Sequence, residues 1–204
     1  MPTWRAWVLV LLIAGTLGPF GLRAIHDFLA VNAPVIGTET LVMEGWANDA
    51  TVAATIQEFN QGHYKRLYVT GGPIDKGAPL FKYKTYAEVG AATLVAFGFN
   101  PALVHAIPAP EMIRDRTYGS AIAFKEGLKA GPVSSFNVIS TGPHSRRTWL
   151  LYQRACAADC EVGIISVDDL MFDPQRWWAS SMGFRSVSDE LLAYCYARFF
   201  FKAE

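Results

Sequence analysis

Cysteine is scarce in this chain, with three residues in 204, so no disulfide framework and no paired thiolate metal site underlies the fold. Charge is scarce too: 18% of residues are charged, and eighteen basic side chains offset eighteen acidic ones. A neutral chain sets up no global field for nucleic acid or an anionic surface, so any anion it binds must be held by a local cluster. The four histidines show no ligand-like spacing, which argues against a metal site. The Walker pattern, the dinucleotide fingerprint and a nucleophile elbow are all missing, so no cofactor is named and covalent catalysis is disfavoured.

Apolar residues make up 51% of the chain, enough to fill one core with a hydrophobic segment to spare. That segment lies between Arg5 and Arg23, where residues 6–22 carry no charge. Trp4 and Trp7 stand where an interfacial aromatic anchor belongs, and small residues at a cleavage site are hard to find. Residues 1–23 are therefore read as an uncleaved membrane anchor, 24–38 as a helix end and linker, and 39–204 as one domain. The flanking arginines lean toward a cytoplasmic N-terminus and a domain outside the plasma membrane.

Within the domain, short apolar runs alternate with amphipathic stretches. Strands are expected near 40–43, 66–69, 103–107, 136–140 and 162–167, with helices near 49–62, 86–97, 116–128, 146–155 and 187–201. Gly131-Pro132 stops the third of these helices. Near-continuous apolar strands alternating with helices imply an α/β fold, a Rossmann-like three-layer sandwich on a mainly parallel sheet. Cys156 is expected to pack at a helix end with Cys160 in the next turn, a local disulfide being the alternative.

Ligands of such sheets sit beyond the carboxyl ends of the strands. The residues there are Glu44-Gly45, Thr70-Gly71-Gly72, Asp115-Arg116-Thr117, and His144-Ser145-Arg146-Arg147. Gly71 and Gly72 would let backbone N–H groups approach oxygen anions, or would simply make a turn. His144 with Arg146 and Arg147 opens a helix, and two arginines there oppose the helix dipole unless an anion is bound. Asp115 or Thr117 could cap the next helix, which would account for either residue without a ligand. Glu44, at the mouth of a buried sheet, needs a cationic partner and is a candidate base or clamp. Glu88 begins a helix, where the dipole alone would explain it.

In this order of motifs, over about Thr40 to Val167, the chain resembles the ElyC/SanA/YdcF family, built on the domain of unknown function 218. The resemblance rests on the strand ending in Glu44-Gly45, Val69-Thr70-Gly71-Gly72, the helix with Glu88, the Thr117 helix start, and the run Ser140 to Arg147. It implies a Rossmann-like sheet behind a membrane segment, a role in the bacterial envelope, and functional roles for Gly71, Gly72, Glu88, Thr117, His144 and Arg147. Two departures stand out: Glu44-Gly45-Trp46 replaces a glycine-rich turn, and Asp115-Arg116 replaces a common asparagine.

The expectation is thus a membrane-anchored envelope protein that binds a phosphate-bearing or otherwise anionic small molecule or lipid-linked intermediate. His144 would be general acid or base, with Glu44 or Glu88 orienting it or activating water. Arg116 and Arg147 would neutralise anionic oxygens. A non-catalytic ligand-binding regulator of envelope assembly is the rival, and a cytoplasmic domain using a soluble nucleotide is a lesser one.

Overall fold

The computed structural model describes residues 3–75, 80, 82–128, 133–157 and 159–202, with 5, 6, 8–17 and 19 described by backbone alone. Five strands form one sheet: β1 (Thr40–Glu44), β2 (Arg66–Gly71), β3 (Val104–Pro108), β4 (Ser135–Thr141) and β5 (Glu161–Val167). Six helices accompany them: α1 (Trp4–Leu29), α2 (Asp49–Gln61), α3 (Tyr86–Ala96), α4 (Arg116–Gly127), α5 (Ser145–Cys156) and α6 (Ser181–Phe199). All pairings are parallel and the strand order is β3-β2-β1-β4-β5. The order reverses at β1, so the crevice between the ends of β1 and β4 is the topological switch point where ligands of such sheets bind.

The alternation of side chains along β1 builds both cores. Leu41 and Met43 face Val52, Phe59 and Leu94 of α2 and α3, whereas Val42 faces Phe124 and Tyr152 of α4 and α5. Every residue of β1 is buried, as a central strand covered on both faces requires. At its end α3 comes close: a Cβ on Gly45 would stand 2.1 Å from the Tyr86 carbonyl oxygen.

The N-terminal helix continues past the charge-free run to Leu29, which is fully buried with Phe172, Trp177 and Val187. Residues 30–38 then lie against the sheet. Ala33 bridges Ile164, and the buried Asn137 side chain exchanges two hydrogen bonds with the Val35 backbone, at 2.7 and 3.0 Å. The stretch read as a helix end and linker is therefore stapled to the domain. Among the described residues no helix is long and apolar enough to cross a membrane. Most side chains of the run read as an anchor, and the Gly131-Pro132 stop, lie outside the described residues.

Two local expectations are corrected. Cys156 and Cys160 are joined by a disulfide, because the chain turns back sharply at Ala157 and brings the two Cα atoms to 5.6 Å. The last helix begins at Ser181, well before Val187: Ser180 accepts a hydrogen bond from the Gly183 N–H and so caps a start that Met182 and Gly183 disguise.

Candidate functional site

A cleft of about 830 Å³ opens at the carboxyl end of the sheet. Its wall carries Glu44, Gly71, Gly72, Asp115, Arg116, Thr117, His144 and Arg147, so eight of the eleven residues proposed from the sequence converge there.

At the floor, four charged side chains form a row. The buried Glu44 carboxylate accepts hydrogen bonds from Ser140 and Thr148, both at 3.2 Å, and stands 3.4 Å from His144 Nε2. On the other side of the ring, Nδ1 lies 2.8 Å from Glu190 Oε1. Arg147 grips Glu190 side-on, with Nε donating to Oε2 and Nη2 to Oε1, each at 2.9 Å. Trp46 meets the imidazole edge-on at 4.9 Å between ring centres. Burial pulls the His144 pKa down, but Glu44 and Glu190 on either side override it and push it up to about 9. Burial likewise opposes ionisation of Glu190, yet His144 and Arg147 hold its carboxyl well below the usual carboxylate range. The row thus sets each basic group beside a carboxylate, and His144 and Glu190 hold each other in their charged forms.

Glu190, on α6, did not emerge from the sequence. It stands in Val-Ser-Asp-Glu-Leu-Leu, where it reads as a solvated acid on a helix, and only the return of α6 over the sheet brings it to His144.

The cleft also receives the start of α4. Asp115 occupies the cap position but makes no capping bond through its side chain, and its backbone is left-handed at φ 57°. The alternative reading, in which a side-chain cap by Asp115 accounts for the residue without a ligand, therefore does not hold. Neither α4 nor α5 has a side-chain cap or an acidic residue in its first turn, whereas Asn48, Thr85 and Ser180 cap α2, α3 and α6. Both of these starts border the cleft, as does the capped start of α3 through Tyr86, and the partial positive charge of an uncapped start favours an anion there.

Three proposed residues stand elsewhere. Glu88 accepts from the backbone N–H groups of Lys84 and Thr85 at 2.8 and 2.9 Å, which completes a capping box and turns it away from the cleft. Arg146, one position before Arg147 and about 100° around the helix, bonds the Phe28 carbonyl and lies 3.9 Å over the Phe28 ring, so it holds α1. Thr70 is buried under the site, 2.9 Å from the Tyr152 hydroxyl. Gly71 lines the cleft, but its missing Cβ makes room for α3: a Cβ there would stand 2.8 Å from that of Tyr86. Arg116 pairs with Asp75 at 2.5 Å on the exposed rim. Among the described residues no cluster of His, Cys, Asp and Glu is arranged to hold a metal ion.

A scan against protein-family models finds no match to this chain, and a search of curated proteins finds none either.

Proposed function

We propose that the cleft binds an anionic, phosphate-bearing molecule, and that the chain is a membrane-anchored envelope protein of the ElyC/SanA/YdcF kind. The observation that carries the ligand class is the pair of uncapped helix starts, α4 and α5, bordering one cleft beside Arg147 and Arg116. The Cys156–Cys160 disulfide supports a domain outside the cytoplasm, since such bonds persist in oxidising compartments.

In this reading Glu44 is the base. Its carboxylate reaches the cleft at the switch point and takes a proton from a water whose oxygen bonds to phosphorus as the P–O bond to the ester oxygen breaks, the departing alcohol taking its proton from solvent. His144, protonated between two carboxylates, positions Glu44, and Glu190 holds His144 in turn. Of the two roles expected for Glu44 this takes the activation of water, and it moves His144 from acid or base to a positioning residue.

One observation favours the rival, a binding module without catalysis: His144 Nδ1 is taken up by Glu190, while Nε2 is buried 3.4 Å from Glu44 without a hydrogen bond, so the nitrogen nearest Glu44 is closed off from solvent. Purifying the full chain in mild detergent and identifying retained phosphate compounds by native mass spectrometry tests the ligand class. Finding none, and no binding of added phosphate esters, would refute it. A Glu44→Gln variant that still binds the retained compound but no longer turns it over assigns the base. Equal affinity with no turnover in either protein selects the binding module.

A further inference from the structure

We infer that the 3-10 segment Pro174–Ala179 and the first turn of α6 form a docking surface for anionic lipid headgroups, beside the point where α1 leaves the bilayer. The inference rests on the proposed anchor and adds a second membrane contact to it.

Depth is the argument. Residues 6–22 are free of charge, and at about 1.5 Å per helical residue they extend roughly 25 Å, close to the roughly 30 Å hydrocarbon core of a bilayer. The helix therefore leaves hydrocarbon near Leu22, and Arg23 stands among the headgroups. Two hydrogen bonds fix the segment at that same level. Trp177 Nε1 donates to the Leu22 carbonyl at 2.9 Å, and Arg23 Nε donates to the Gln175 carbonyl at 3.1 Å.

The side chains at this level suit an interface. Trp177 is buried against Trp178 and Phe184, with ring centres 5.8 and 6.1 Å away. Phe20, Met182 and Phe184 are 66%, 43% and 55% exposed, and no protein element covers them among the described residues. Arg23 follows Phe20 by three positions in α1, Arg176 adjoins Trp177, and Arg185 adjoins Phe184, while Asp173 is engaged in capping the segment through the Gln175 N–H. Aromatic and apolar groups flanked by arginine are what the boundary between acyl chains and acidic headgroups selects. The surface also locates the domain, because Glu190 lies on the same helix as Phe184 and meets His144 from there.

The test uses the full chain in nanodiscs of phosphatidylcholine and phosphatidylglycerol. Nitroxide labels are placed singly through Ala14→Cys, at the centre of the charge-free run, Phe184→Cys and Ile113→Cys, in a Cys195→Ser background that leaves the disulfide intact. Collision with oxygen is compared with collision with a water-soluble nickel chelate. The labels at 14 and 184 are expected to favour oxygen, and the one at 113, on the cleft rim, the chelate. Charge reversal by Arg176→Glu with Arg185→Glu should move the 184 label toward water. A label at 14 in lipid with one at 184 as aqueous as 113 overturns the docking surface and leaves the anchor standing. An aqueous label at 14 overturns both.

Discussion

Glu190 and His144 are 46 positions apart in the chain and 2.8 Å apart in space. This contact joins the last helix to the strand-helix corner at the switch point, and it makes the charge of His144 a property of the assembled fold. Without it the ring would face one carboxylate on one side and the Arg147 guanidinium, 2.9 Å from Nδ1, on the other.

Stability should therefore fall with alkaline pH. The folded pKa of His144 is pushed up to about 9, above the ordinary histidine value, so protonated His144 favours the folded state. That contribution, about 3 kcal/mol, is fully present below about pH 6.5 and is lost as pH rises through about 9. Glu190 acts in the opposite sense, its contribution being lost only as pH falls below the usual carboxylate range. Urea denaturation between these limits checks the slope, which should vanish in His144→Gln.

Replacing Glu190 with glutamine leaves Arg147 and His144 buried beside a neutral amide. Removing one partner of a buried charge row costs about 3 kcal/mol, whereas Asp75→Ala, which breaks the exposed pair with Arg116, should cost less than about 1 kcal/mol. Denaturation midpoints compare the two. Equal costs would contradict the described burial of the row.

Glu88→Ala should lower stability by about 1 kcal/mol through loss of the capping box and leave pyrophosphate affinity untouched. Thermal denaturation and calorimetric titration separate the effects. A loss of affinity with unchanged stability would restore Glu88 to the site.

The disulfide closes a short loop at the end of α5, and opening it should cost about 2 kcal/mol by the loop-entropy account. Mass shift on alkylation with and without reductant shows whether the bond is formed, and urea midpoints give its contribution.

Much of this arrangement was legible before any coordinates. The five strands follow from apolar runs, and the cleft from what stands after them, because a parallel sheet forces polar loops to one end. Glu88 was legible as a helix-start acid, and the capping box is what that bland reading describes. Arg146 and Arg147 were not separable by composition, since only the helical rotation between neighbours sends one to Phe28 and the other to Glu190. Glu190 itself was hidden, because an acid in a helix carries no mark of a partner 46 positions away. Gly71 shows a different failure: the residue lines the cleft as expected, but the approach of Tyr86 explains the glycine.

The most direct test of the central claim is the amide spectrum of the full chain in detergent micelles, titrated with inorganic pyrophosphate. If the cleft is an anion site, the N–H resonances of Thr117 and Tyr118 at the start of α4 and of Arg146 and Arg147 at the start of α5 should shift together, with one dissociation constant that weakens as salt rises. Saturating pyrophosphate that leaves both helix starts unmoved in a folded protein would contradict the account.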